Sequence, residues 1–74
     1  MSDGPQLPSE RVATALRLRI AAEEWEPGQR MPPVAELADA YDTSRATVTK
    51  ALRKLASEGL VTIVPNWGTF RAED

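Results

Sequence analysis

Residues 36–60, ELADAYDTSRATVTKALRKLASEGL, contain two short helical patterns separated by a turn. The turn is Asp42-Thr43-Ser44, and aspartate is one of the few non-glycine residues that tolerate the left-handed backbone of a tight turn. Ser44 is predicted to cap the second helix, over about residues 44–58, and Gly59 is expected to lie just past its end. Apolar residues recur at helical spacing on both sides of the turn, at Val34, Leu37, Ala38 and Tyr41 and then at Val48, Ala51, Leu52 and Leu55.

A third helical pattern precedes this pair. Apolar residues recur every four residues over residues 12–20, and Ser9 is a suitable N-cap, so a first helix is predicted over Ser9–Glu24. The dipeptide Pro27-Gly28 favours a turn directly after it. Trp25 is expected to pack back over the end of this helix.

The chain after Gly59 changes to a strand pattern. Residues 60–64 (LVTIV) are mostly β-branched, and residues 65–68 (PNWG) have the composition of a turn. Residues 69–71 (TFR) then favour a second short strand, so the segment predicts a hairpin.

Three helices and a C-terminal hairpin predict a mainly α fold with a small β-hairpin, the winged helix-turn-helix. The predicted domain spans residues 9–71, with residues 1–8 as a flexible lead-in and residues 72–74 as a tail. In this arrangement the second helix of the pair lies in the major groove of DNA while the first crosses the backbone.

The composition excludes several classes of protein. A chain of 74 residues has room for one domain, and 42% hydrophobic residues are too many for a disordered segment. The absence of cysteine and histidine excludes disulfides, the usual zinc sites and histidine-dependent catalysis. No apolar run approaches the length of a membrane span. We therefore expect a cytoplasmic protein that is not an enzyme and uses no cofactor, metal or membrane.

The charge is divided unevenly along the chain. The net charge is −2, which by itself argues against a nucleic-acid partner. Residues 1–42 contain four basic and eight acidic residues, a net −4, whereas residues 43–74 contain five basic and three acidic residues, a net +2. Residues 43–57 hold four basic residues and no acidic one. Because a phosphate group responds to charge within about 8 Å at physiological salt, the last helix still presents a surface suited to DNA.

Four motifs occur in a fixed order between Val12 and Phe70. They are VATALRLRI at 12–20, WEPGQRMP at 25–32, the segment 36–60 quoted above, and GTF at 68–70. Together they resemble the N-terminal DNA-binding domain of the GntR family of bacterial transcription regulators. The resemblance implies binding to an operator in double-stranded DNA, and it leaves a homodimer open because operators of the family are usually palindromic. The family's C-terminal domain, which binds a small metabolite, is absent from these residues.

Six positions depart from the pattern of the family. Pro33-Val34-Ala35 replaces Ser-Glu-Arg at the start of the second helix, which removes a DNA-contacting arginine at Ala35, and the loss of the capping box costs about 1 kcal/mol. Thr49 replaces a second such arginine. Asp42 replaces the turn glycine and adds a negative charge, and Asn66 replaces the wing-tip glycine, which is tolerable where the backbone is left-handed.

The helical pattern and the resemblance together select ten candidate DNA-binding residues. Arg45 lies in the first turn of the last helix, where its planar fork can contact guanine O6 and N7 together. Lys50 and Arg53 would contact phosphate, although a solvated face explains them equally well. Thr47 is as suited to a local hydroxyl-to-backbone bond as to DNA. The ten residues are Ser44, Arg45, Ala46, Thr47, Thr49, Lys50, Arg53, Asn66, Trp67 and Gly68.

The aromatic and acidic residues leave alternatives open. Trp67 either folds back onto the hairpin or, by a slight preference, is presented to a partner such as the minor groove or another protein. Trp25 and Tyr41 are expected in the core, and the acidic residues 23, 24 and 26 are expected to be a solvated cluster. The acidic total, the missing arginines and an exposed tryptophan would favour a second hypothesis, a winged helix that serves protein–protein contact.

Overall fold

The computed structural model describes residues 7–73, in which three helices precede a two-stranded antiparallel hairpin. This arrangement confirms the predicted winged helix-turn-helix. Residues 1–6 of the predicted lead-in and residue 74 of the predicted tail lie outside the described residues. The elements are α1 (Pro8–Ala21), α2 (Val34–Ala40), α3 (Arg45–Ser57), β1 (Val61–Val64) and β2 (Gly68–Arg71).

Both predicted ends of the first helix were wrong. The helix begins at Pro8, with Leu7 as its N-cap and no side-chain cap, so Ser9 lies inside the helix and does not cap it. Proline suits this first position because its fixed φ is helical and the N–H that it lacks would have no partner there. The helix ends at Ala21, not at Glu24, because Glu23 takes a left-handed φ of 64°.

All three helices end in the same way. A residue with positive φ follows each helix, and two backbone N–H groups bond back to carbonyls in the last turn, as in a Schellman motif. The residues are Glu23 after α1, Asp42 after α2 with φ 53° and Gly59 after α3 with φ 79°. After α2, the N–H of Thr43 donates to the carbonyl of Ala38 at 2.9 Å. The sequence predicted Asp42 and Gly59 in these positions but gave no sign of Glu23.

The N-termini of α2 and α3 differ in whether a side chain caps them. Pro33 is the N-cap of α2 and makes no side-chain cap bond, which confirms the missing capping box. At α3 the Ser44 hydroxyl accepts from the N–H of Thr47 at 3.1 Å, as predicted. α3 therefore has a side-chain cap, whereas α2 depends on packing.

The hairpin is joined by a third extended segment that the sequence did not indicate. β1 and β2 pair from Val61–Arg71 to Val64–Gly68. On the other edge of β2, Arg30 forms a bridge with Phe70, and the N–H of Met31 donates to the Thr69 carbonyl at 2.8 Å. The bend after α1 is thereby held against the wing.

The core lies between the helices and β1. α3 packs against α1, α2 and β1, and its Val48, Ala51, Leu52 and Leu55 are buried. Trp25 is 6% exposed, so its predicted core position is confirmed. Tyr41 is only partly buried, because its hydroxyl remains near the surface and accepts from the Arg19 guanidinium at 2.8 Å.

An ion pair links α1 to the end of α3. The Arg17 guanidinium donates to both carboxylate oxygens of Glu58, at 3.0 and 2.9 Å, and this bond holds the pKa of Glu58 below its usual range. A lowered folded-state pKa contributes stability above the ordinary glutamate pKa, and that contribution is lost as the pH falls through the folded-state value.

We expect Glu58→Gln to be less stable than the parent chain at about pH 7 and to lose less stability between about pH 5 and pH 3. Urea unfolding at several pH values measures both effects. Glu26→Gln is the control, since Glu26 is exposed and makes no ion pair with any of residues 7–73. Parallel acid profiles for Glu58→Gln and the parent would contradict the assignment.

Candidate nucleic-acid interface

The outward face of α3 begins with a small hydroxyl cluster. Besides accepting from the Thr47 N–H, the Ser44 hydroxyl donates to the Thr47 hydroxyl at 3.0 Å. The first turn of the helix is therefore fixed in place, and its remaining N–H groups point out at the end that attracts anions. The Thr47 hydroxyl is therefore engaged locally, but with the Ser44 hydroxyl and not with a backbone group as the predicted alternative had it.

Three cations follow on the same face of α3. Arg45, Lys50 and Arg53 are exposed, and none of them makes an ion pair or a side-chain hydrogen bond with any of residues 7–73. Ala46 is exposed beside Arg45, and Thr49 is half-buried one position before Lys50. The opposite face of the helix is buried in the core, so this cationic face is the one that a ligand can reach.

The cations elsewhere in the described residues are differently placed. Arg17, Arg19 and Arg71 each pair with a glutamate, at Glu58, Glu24 and Glu23 respectively. Lys54, at the end of α3, lies 3.8 Å from Glu58. These four cations are thus paired with glutamates, whereas the three on the outward face of α3, like Arg11 and Arg30, make no ion pair with any of residues 7–73.

The predicted solvated cluster of acidic residues needs a correction. Residues 23, 24 and 26 are exposed, but Glu24 accepts two bonds from Arg19, at 2.8 and 2.5 Å, which lower its pKa. The Arg19 guanidinium also lies 4.7 Å from the Trp25 ring centroid. Glu23 accepts from Arg71 at 2.9 Å. These contacts tie the bend to α1 through Arg19 and to β2 through Arg71. The pairing of Glu23 with Arg71 joins residues 48 positions apart, which sequence spacing does not indicate.

The wing presents an apolar tip. Asn66 has a left-handed φ of 69°, as predicted for the position of the family's glycine. Trp67 is 69% exposed, so it does not fold back onto the hairpin and the slightly favoured alternative, an outward side chain, is the one present. Its backbone N–H donates to the Val64 carbonyl at 3.0 Å and closes the turn. Gly68 is half-buried with a φ of 126°.

Arg30 was missed by the sequence reasoning. It is exposed, and a side chain at Gly68 would lie 3.0 Å from its Nε atom, so the guanidinium rests against the backbone of the wing. No local signal marks this position, since Arg30 and Phe70, which are paired, lie forty positions apart in the chain.

The structure also addresses the other binding classes. Over residues 7–73, no group of histidine, cysteine or acidic residues is arranged to hold a metal ion. None of the three helices is long and apolar enough to cross a bilayer.

Comparison with known families identifies the domain. Residues 8–70 match the model of the bacterial regulatory proteins, gntR family. The chain belongs to the GntR family. A histidine utilization repressor from Klebsiella aerogenes is 41% identical over 64 residues, which are 86% of this chain and 27% of that repressor. A histidine utilization repressor from Pseudomonas putida is 36% identical over 99% of this chain and 29% of its own length. This GntR-family chain therefore spans less than a third of the length of these two relatives.

Solved structures of GntR-family domains have the same fold. The AraR(DBD) in complex with operator ORE1 has a TM-score of 0.91 and 30% identity, covering 97% of this chain and 88% of that one. The complex of AraR(DBD) with operator ORR3 gives a TM-score of 0.90 at 30% identity, over 97% and 87% of the two chains. These similar domains are held in crystals with operator DNA.

Proposed function

We propose that this GntR-family domain binds an operator in double-stranded DNA in a sequence-specific manner and serves a transcriptional regulator, without enzymatic activity. The observation that carries the proposal is the outward face of α3, where Arg45, Lys50 and Arg53 have no partner among residues 7–73. A helix with one face buried and the other lined with unpaired cations and hydroxyls suits the major groove.

The residues of α3 divide by the chemistry that they offer. Arg45 lies in the first turn, where its fork reads guanine. Ser44 and Thr47, with the helix N-terminus, approach a phosphate. Lys50 and Arg53 contact the phosphate backbone as cations. Ala46 and Thr49 are small and face the groove, where a methyl group suits the methyl of thymine.

In this proposal the wing, residues 64–70, lies at the minor groove beside the contact made by α3. Asn66 supplies an amide that can read the edge of a base pair, and Gly68 permits close approach of the backbone. Trp67 supplies an exposed ring at the tip, where an apolar side chain can press against the sugars or between base steps. The same exposure supports the second candidate, in which the wing contacts another protein.

The wider assignment follows from the relatives. Both histidine utilization proteins are named as repressors, and this chain matches 27% and 29% of their lengths. We propose the cytoplasm as its location and a homodimer as the form that binds a palindromic operator. Two heads on one duplex would also offset the weak affinity expected from a single small domain.

Selection of bound sites from random duplexes tests the proposal directly. A related set of sequences, with affinity that falls by about 0.9 log units per log unit of salt for each phosphate neutralised, is the expected result. Inverted half-sites would support the homodimer. Recovery of unrelated sequences at every salt concentration would refute sequence-specific binding and leave the protein-contact hypothesis.

Asp42→Asn is expected to strengthen DNA binding by about two- to fivefold at low salt. The Asp42 carboxylate lies two residues before the cap of α3, where it repels phosphate, and asparagine retains the tolerance for a left-handed φ of 53°. Fluorescence anisotropy with a selected duplex measures the change, and it should shrink as salt is raised. Asp39→Asn on α2 is the charge-matched control. Equal gains from both substitutions would show a net-charge effect without a local one.

A further inference from the structure

The wing of this domain is uncharged along its whole length. From Gly59 to Phe70 the sequence contains no acidic or basic residue. Arg71, at the end of β2, is turned to the bend, where its guanidinium donates to the Glu23 carboxylate and to the Trp25 carbonyl at 2.6 Å. The hairpin itself therefore offers no free cation to a phosphate.

Arg30 is brought to the wing from a distant part of the chain. It bridges to Phe70 on the free edge of β2, and directly opposed residues of an antiparallel pair share a face of the sheet. Gly68, two residues before Phe70, lies on that same face. Thr69 and Val61 lie on the other face and are buried, so Arg30 projects from the outer face of the sheet.

The guanidinium leans along that face to the tip of the hairpin. A Cβ atom built at Gly68 would lie 3.0 Å from Nε and 3.3 Å from an Nη atom of Arg30. The absence of a side chain at Gly68 thus leaves the space that the guanidinium occupies. Backbone bonds on either side hold the main chain of Arg30 against β2. The Arg71 N–H donates to the Gln29 carbonyl and the Met31 N–H to the Thr69 carbonyl, both at 2.8 Å.

No counter-ion accounts for this placement. Arg30 is exposed and makes no ion pair or side-chain hydrogen bond with any of residues 7–73. A free planar fork on a rigid support is the arrangement that proteins use for bidentate contact with phosphate.

We propose that Arg30 is the cation of the wing and contacts a backbone phosphate beside the minor groove when the domain is on DNA. The inference rests on the proposed function and adds a contact from outside the helix-turn-helix and the hairpin. It explains how an uncharged tip is held against a polyanion: the apolar Trp67 and the cation come from different segments of the chain.

The test compares Arg30→Gln with the charge-matched control Lys54→Gln in the 74-residue chain, using a duplex recovered by selection. Loss of one phosphate contact should reduce the salt slope of log K by about 0.9, which corresponds to roughly eightfold weaker binding at 0.1 M salt. Lys54→Gln should leave the slope near that of the parent chain. Thermal melting of both variants should match the parent, because both side chains are exposed.

Neutral methylphosphonates placed singly along the duplex locate the contact. One of them, outside the major-groove site, should weaken binding of the parent chain but leave Arg30→Gln unchanged. An unaltered salt slope for Arg30→Gln, or the absence of any such phosphate, would overturn the assignment of Arg30. If Arg45→Ala still lost affinity in the same assay, the proposed function would stand without this contact. Absence of salt-dependent binding by the parent chain would instead remove the proposed function, and this contact with it.

Discussion

Leu16→Ala is expected to bring the domain close to its unfolding transition at about 25 °C. Leu16 is completely buried on α1, in the core that α1 forms with α3. Removing a buried leucine side chain costs about 2–5 kcal/mol, from lost burial and from the cavity that remains. A single core in a chain of this size supplies about 3–5 kcal/mol in total. One substitution therefore removes most of the stability of the domain.

Circular dichroism during heating and urea titration measure the loss. Leu18→Ala is the matched control, because Leu18 lies two residues further along α1 and is 67% exposed. Its melting temperature should stay within a few degrees of the parent, whereas about 2 kcal/mol or more lowers that of Leu16→Ala by at least roughly 10 °C. Similar melting temperatures for the two variants would show that α1 does not bury Leu16 and expose Leu18 as in this structure.

Arg45→Ala is expected to weaken binding to a selected duplex by about 5- to 150-fold. A bidentate arginine–guanine contact is worth about 1–3 kcal/mol of discrimination, and each 1.4 kcal/mol is a factor of ten. Arg45 is exposed in the first turn of α3 and makes no bond with another side chain among residues 7–73, so its removal leaves the fold intact. Fluorescence anisotropy measures the affinity.

The pattern across sequences separates base reading from charge. Arg45→Ala should bind the selected site and a site altered at one guanine with similar affinity, whereas the parent chain distinguishes them. Arg53→Ala, two turns further along α3, should weaken binding to both duplexes equally. Arg45→Lys keeps the charge without the fork and should restore affinity but not discrimination. Undiminished affinity of Arg45→Ala at low salt would count against α3 as the recognition helix.

Local sequence patterns were sufficient for the elements themselves. The periodicity of apolar residues predicted α2 and α3, because one buried face per helix requires it. The hairpin was predicted from β-branched residues on either side of a turn composition. Ser44, Asp42 and Gly59 were predicted at the positions where the structure has them, since caps and left-handed turns depend on a residue and its nearest neighbours. The division of charge along the chain likewise predicted a basic face on α3.

The ends of α1 show where such patterns stop being informative. Glu23 adopts the left-handed backbone that glycine or asparagine usually takes, so no residue type marked the end of the helix. In the folded chain the Glu23 carboxylate meets Arg71, and Trp25 is buried beside it. The left-handed turn at Glu23, which local propensity disfavours, is thus accompanied by a contact with Arg71 from near the end of the chain.

Tertiary structure alone decided which cations are free. Arg17, Arg71 and Arg30 look alike in the sequence, but the fold brings glutamates to the first two and the uncharged wing to the third. Such pairings join residues more than thirty positions apart, and they depend on how helices and strands pack, which periodicity does not encode. The basic helix was thus predictable from composition. The cation of the wing was not, because Arg30 reaches the hairpin only when the bend pairs with β2.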